Sequence, residues 1–409
     1  MEKVSKNFMW MSAANITNSL LSAVLFMYLA RALKVEAFGY LSYASAFAFY
    51  LLNFVDLGLS TYGVREIARN KGRLTEIVSD IVSFKLIVAC ALYALTIIIA
   101  LALWQQPALV RLLIAGSCLL VFTAALATEW AFQGVEKMHM VFISFTTSAV
   151  LQLGFIYVFV KGPGDVLKVP ILYFLATVPI IAIFLRRLHF RLNVRHLDRA
   201  RMRLHLSSSL IIWLISVCVQ TYNNLDIIIL GFFRSAHEVG YFSVSRRIVG
   251  GITALTVFLA NAALPRLTYT FHDDVGQFRG VTKKFLRLSL ILIAAALIPL
   301  VFFSRYLISI TVGAQYLPAR IPLNIMLGGV MMVLLNMPFS TGLIATGHEK
   351  AVLKQAAASA LLSIVSNFIL IPKYGMIGAS VSFLFVEIFA LTWIIWVYQR
   401  TIGLRFTAS

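Results

Sequence analysis

Leu86 to Trp104 reads LIVACALYALTIIIALALW, nineteen residues without a charge. At 1.5 Å per residue, such a run crosses about 30 Å of hydrocarbon as a helix. It is apolar on every side, so it reads as a span and not as an amphipathic surface helix. Met140–Val160 repeats the pattern, and Val166–Leu185 carries only Lys168 near its start. The 409-residue chain is 60% hydrophobic and 12% charged, against about 45–50% and about 25% for soluble domains. That composition excludes a chain of soluble domains. Transmembrane β-strands would alternate over ~10 residues, and these segments do not.

Extending the reading along the chain gives twelve spans: 8–30, 38–60, 84–104, 108–132, 139–160, 166–186, 206–233, 239–265, 285–304, 321–345, 351–371 and 375–399. Lys3 and Lys6 before an apolar run resemble a signal n-region. The run Phe8–Ala30 is too long for a signal core and contains Asn15, Thr17 and Asn18, so it is read as the first span. The net charge of +19 could mean nucleic acid or cytoplasmic loops. Most Lys and Arg fall on one side when both termini are placed in the cytoplasm, which is the positive-inside pattern. The basicity is therefore a topology signal, and no nucleic-acid partner is expected.

Cys90, Cys118 and Cys218 lie within spans and form no CxxC motif, and the seven histidines have no metal-ligand spacing. No phosphate loop or nucleophile motif is present. The outside connections are too short for a catalytic domain, so the chain is expected not to be an enzyme and to need no cofactor.

Residues 36–42 (EAFGYLS) recur as 237–243 (HEVGYFS), an offset of 201. Gly134-Val135-Glu136-Lys137 recurs as Gly347-His348-Glu349-Lys350, an offset of 213. Matches in the same order argue for two six-helix halves: 1–186, a basic linker 187–205, and 206–409. Six is even, so the halves would be parallel bundles related by a pseudo-twofold axis along the membrane normal. That is a transporter architecture suited to alternating access.

Two runs of the first half, LARALKVEAFGYLSYASAF (29–47) and VDLGLSTYGVREIARNK (55–71), resemble the polysaccharide repeat-unit flippases. So do LDIIILGFFRSAHEVGYFSVSRRI (225–248) and NFILIPKYGMIGASVSF (367–383) of the second half. These flippases belong to the multidrug/oligosaccharidyl-lipid/polysaccharide exporter superfamily. The resemblance covers essentially the whole chain. It implies a bacterial inner-membrane protein that moves an undecaprenyl-diphosphate-linked oligosaccharide, such as an O-antigen unit, to the periplasmic leaflet. It also implies membrane lipids as surroundings, with a polymerase and a chain-length regulator of the same pathway as partners. A cation-coupled drug exporter of the same architecture is the alternative. A membrane glycosyltransferase or polymerase would need a catalytic set in a long outside loop, and none is found.

Ionisable groups in hydrocarbon cost at least ~2.5–3.5 kcal/mol each, so they face a partner or a wet cavity. Asp226 lies eight residues before Arg234, and Arg246 lies eight after Glu238. Both are thus ~12 Å below the outer surface and can meet across a hairpin. Arg246 and Arg247 point about 100° apart, so only one can face Asp226. The other would be available to a diphosphate, which arginine binds through paired hydrogen bonds. A purely structural ion pair is equally compatible with the spacing. Glu387, at mid-span, is a candidate for coupling to protons or Na⁺, or for a helix–helix hydrogen bond. Asp226 and Asp56 are further coupling candidates. Arg65 and Arg69, one turn apart in the amphipathic segment 61–80, would lie at the inner surface and could draw the diphosphate in. Arg31 completes the candidate substrate set. Pro179, Pro299 and Pro338 interrupt spans and could serve as hinges or as static bends.

Overall fold

The computed structural model describes residues 2–102, 107–190, 209–210, 213–214, 217–218, 221, 224–273 and 275–402. Among the described residues only helices and their connections occur, and nine helices are long and apolar enough to cross a membrane. The protein is a multi-pass helical membrane protein. The chain divides into two compact units, Met1–Val217 and Cys218–Ser409. Most of the expected linker, from residue 191 on, lies outside the described residues, as does much of the expected span 206–233.

The first unit begins with α1 (Glu2–Asp56), whose 55 residues include a non-helical Lys34 at φ 60°. This break falls between the expected spans 8–30 and 38–60. Leu57 and Gly58, at φ 46° and 75°, then turn the chain into α2 (Leu59–Arg69). Its buried stripe of Leu59, Gly63 and Ile67 follows helical spacing, while Arg65 and Arg69 are exposed. The amphipathic segment is shorter than 61–80. A 3₁₀ turn at Lys71–Arg73 ends it, and α3 (Leu74–Ala102) has already buried Ile77 to Asp80. Expected span 108–132 is likewise divided, into α4 (Ala108–Ser117), α5 (Leu120–Leu126) and α6 (Glu129–Gly134). Ala127 is extended there, at ψ 127°. α7 (Met138–Phe159) and α8 (Lys168–Arg187) complete the unit. The Tyr28 hydroxyl donates to the Val160 carbonyl at 2.8 Å, which satisfies the frayed end of α7.

The second unit holds α9 (Asn224–Phe233), α10 (Ala236–Asp273), α11 (Val275–Leu292), α12 (Ile298–Thr311), α13 (Arg320–Ala345) and α14 (Glu349–Ile402). A π-turn, Ile293–Leu297, precedes Pro299. The ring of a mid-helix proline displaces the carbonyl four residues earlier, and a wider turn absorbs this. α14 breaks at Gly375 (φ 57°, ψ −135°). The turn between α9 and α10 caps both broken ends. Arg234 donates to the carbonyls of Ile371 (3.4 Å) and Pro372 (2.8 Å), and Glu238 accepts from the Met376 amide at 2.9 Å. A cation at a helix C-terminus and an anion at the next N-terminus match the helix dipoles.

Lipid tails are as apolar as leucine, so helices in a membrane are held by close shape fit and hydrogen bonds. The aromatic rings of Trp130, Phe383 and Tyr398 pack onto Gly63, Gly329 and Gly342, so closely that a β-carbon would collide with each ring. Ser366 and Ser382, on either side of the α14 break, share a 2.6 Å hydrogen bond.

The repeated Glu-Lys string proves to be one backbone motif in a shifted register. The amides of Val135, Glu136 and Lys137 bond to the carbonyls of Ala131, Gln133 and Phe132; those of Thr346, Gly347 and His348 bond to Gly342, Ile344 and Leu343. Both are Schellman turns with one residue at positive φ, Glu136 (60°) and Gly347 (78°). The structural offset is thus 211, not the 213 that letter matching gives.

Candidate functional site

In the first unit, α1, α2 and α3 bring three polar side chains together. The Asp56 carboxylate accepts from Lys85 Nζ (2.6 Å) and from Ser60 Oγ (2.5 Å), while Lys85 Nζ also reaches Ser60 Oγ at 2.8 Å. Lys85 is 1% exposed and Asp56 35%. The Lys85 ammonium stands 5.8 Å from the Trp130 ring centroid. Asp56 and Ser60 flank the Leu57–Gly58 elbow, so this cluster fixes the angle at which α2 leaves α1. Asp56 is one of the expected coupling candidates. Its partner Lys85 is not among the expected site residues, although its place immediately before the charge-free run is a usable signal. Glu129 accepts from Ser144 at 2.7 Å. Arg31, Arg65 and Arg69 are exposed on this unit and are not gathered around Asp56 by any described contact.

In the second unit, Asp226 of α9 and Arg246 of α10 stand at 3.8 Å, Nε to Oδ2. That separation exceeds the 2.7–2.9 Å of a charge-assisted hydrogen bond. Asp226 Oδ1 also accepts from the Ile227 amide at 2.8 Å. The Arg246 guanidinium lies over the Phe383 ring at 5.1 Å, and its side chain is 12% exposed. Arg247 points elsewhere and is exposed. Glu387, one turn beyond Phe383 on α14, is buried beside Gly329 of α13. Among the described residues no hydrogen-bond or ion-pair partner of its carboxyl is found. Four helices thus bring the partly buried Arg246 and the buried Asp226 and Glu387 to the neighbourhood of Phe383 and Gly329. Arg234 and Glu238, absent from the expected site, serve the α14 break instead. Among the described residues no cluster of metal-ligating groups occurs.

The profile of the polysaccharide biosynthesis protein family matches residues 4–271. The chain belongs to that family. A candidate O-antigen transporter of Escherichia coli (strain K12) is 25% identical to this family member over 405 residues, covering 93% of each chain. Among solved structures, the lipid II flippase MurJ in an inward closed conformation superposes with a TM-score of 0.75 at 16% identity. It covers 95% of this chain and 87% of its own. An inward-facing multidrug resistance transporter of the MATE family superposes with a TM-score of 0.73 at 14% identity, covering 97% and 98%. These likenesses show that this polysaccharide biosynthesis protein shares the helical fold of those two solved structures.

Proposed function

We propose that the protein is a flippase. It moves an undecaprenyl-diphosphate-linked oligosaccharide repeat unit from the cytoplasmic to the periplasmic leaflet of a bacterial inner membrane, and it catalyses no chemical reaction. Family membership and a transporter-named relative along nearly the whole chain support this reading. The observation that carries it is the partly buried Arg246, 3.8 Å from the buried Asp226 and followed by the exposed Arg247. A guanidinium held in low dielectric suits a diphosphate and repels a cationic drug, so the arginine weighs against the exporter alternative that shares this fold.

The proposal includes twelve crossings. α1 and α14 each cross twice about Lys34 and Gly375, and expected span 206–233 completes the set with α9 as its described end. It also includes two six-helix halves joined through 187–205, cytoplasmic termini, alternating exposure of the headgroup site, and coupling to protons or Na⁺. Glu387, Asp226 and Asp56 are the coupling candidates, and Arg65, Arg69 and Arg31 assist headgroup capture. The polymerase and chain-length regulator of the pathway are its proposed protein partners. Deletion of the chain should make the lipid-linked saccharide accumulate on the cytoplasmic side. Complementation with Arg246→Ala and Arg247→Ala should fail for at least one. Full activity of both, or altered drug sensitivity without accumulation, overturns the reading.

A further inference from the structure

α11 has two unlike sides over Phe278–Ser289. Phe278, Thr282, Phe285 and Ser289 are buried, and their helical spacing puts them in one stripe. Arg279, Lys283, Lys284 and Arg287 are exposed and lie about 90–170° around the helix from that stripe. The helix contains no acid. Among the described residues no acid pairs with any of the four cations. Beyond Arg287 the exposed residues become apolar: Leu288, Leu290 and Ile291 are 42–54% exposed, so hydrocarbon begins just after Arg287. The first unit treats its charges otherwise. Arg73 donates to both oxygens of Glu76 at 2.9 and 3.0 Å, and Lys71 stands 3.7 Å from Glu136. A charge that only orients the chain in the membrane needs neither a single helical face nor an acid-free neighbourhood.

We propose that this face of α11 docks the anionic headgroups of phospholipids in the leaflet that α11 enters, the cytoplasmic one in the orientation given above. The partner is the surrounding bilayer and not the transported saccharide. A cation near the surface of a span strengthens attraction to anionic lipid about fivefold. The headgroup layer is roughly 5–7 Å deep on each side of the hydrocarbon. Along the helix, Lys283 and Lys284 stand about 4.5–6 Å from Arg287, and Arg279 about 12 Å. The last distance exceeds the screening length of about 8 Å at physiological salt. Arg287, Lys283 and Lys284 therefore hold the headgroups, and Arg279 contributes least.

The test is calorimetric titration of the purified full-length chain in neutral detergent with short-chain phosphatidylglycerol. Short-chain phosphatidylcholine is the zwitterionic comparison, and thermal unfolding is the folding control. Wild type should prefer phosphatidylglycerol by at least about fivefold, and the preference should fall as salt is raised. Lys283→Gln, Lys284→Gln and Arg287→Gln should each weaken phosphatidylglycerol binding about fivefold. Arg279→Gln and Arg73→Gln should stay within about twofold. The triple variant of Lys283, Lys284 and Arg287 should lose at least about tenfold of the preference. Equal affinity of wild type for both lipids, or a triple variant that keeps the wild-type preference, overturns the proposal. Should the triple variant fail to insert, the single variants decide, since one charge fewer leaves the orienting bias of the chain in place. A triple variant that loses binding of inorganic pyrophosphate but keeps its lipid preference assigns the face to the substrate's diphosphate, and that also overturns the proposal.

Discussion

The carboxylate of Glu238 occupies the space that a β-carbon on Gly375 would require, and from there it accepts the Met376 amide at 2.9 Å. Residue 375 must therefore be glycine twice over, for its φ of 57° and for the room it leaves. Gly375→Ala should destabilise the protein by about 2–3 kcal/mol, combining left-handed strain with loss of the cap. Glu238→Ala should cost about 1 kcal/mol, and Glu238→Gln less, since an amide oxygen can still accept. Thermal unfolding in detergent ranks the three. An unchanged midpoint for Gly375→Ala would remove Glu238 as a cap.

Lys85 and Asp56 should respond unequally to loss of their partner. Lys85 is 1% exposed, so Asp56→Asn strands a buried ammonium, at about 3 kcal/mol. Asp56 keeps 35% of its surface, so Lys85→Met leaves a carboxylate that water can reach, at about 1 kcal/mol. The double variant should lie closer to wild type than Asp56→Asn alone. Equal single costs would show that the pair is not asymmetrically buried.

Flux through Glu387→Gln should lose its dependence on an imposed pH or Na⁺ gradient while substrate binding persists. The motivation is a buried carboxyl with no described partner, held beside Gly329. Transport assayed in vesicles with and without each gradient decides it, and an unaltered gradient dependence assigns the coupling elsewhere.

Between α7 and α8, Asp165 accepts from Lys168 Nζ at 2.6 Å and from the Lys161 amide at 2.9 Å. Hydrogen bonding from Lys168 holds its carboxyl below the ordinary carboxylate range. A depressed folded value gives stability that is present above the unfolded pKa, near 4, and is lost as pH falls through the folded value. The loop is solvated, so the effect is small. Asp165→Asn should lower the unfolding midpoint slightly at pH 7 and not at pH 2. A difference that grows on acidification would reverse the sign.

Glu136 sits at φ 60° in the turn where the second unit has Gly347. Glu136→Gly should therefore relieve left-handed strain and stabilise by a few tenths of a kcal/mol up to about 1 kcal/mol, less any contribution of the Lys71 contact at 3.7 Å, which is exposed and weak. A lowered unfolding midpoint would mean that Lys71–Glu136 outweighs the backbone.

Spans were legible because hydrocarbon demands length and apolarity, and both are written residue by residue. Asp226 and Arg246 were legible as a pair because helical rise converts equal distances from a turn into equal depth. The Schellman register was not legible from letters: the chain conserves a positive φ at Glu136 and Gly347 rather than a residue type, and a glycine-anchored match slips by two positions. Lys85 was obscured because a lysine at a span boundary is an ordinary orienting charge, and only packing shows that its side chain turns inward. The division of 108–132 at Ala127 has only a weak local mark, Thr128 at the N-cap position and Glu129 in the first turn of α6, and the long apolar run obscures it.

The glycine sockets under Trp130, Phe383 and Tyr398 hold helices together by contour, and water exclusion contributes little to them. Detergent alkyl chains are the same solvent to such a contact as lipid tails are. Solubilisation should therefore leave these joints at their original strength, and damage during purification should begin at the buried ion clusters, which water can enter once the bilayer is gone.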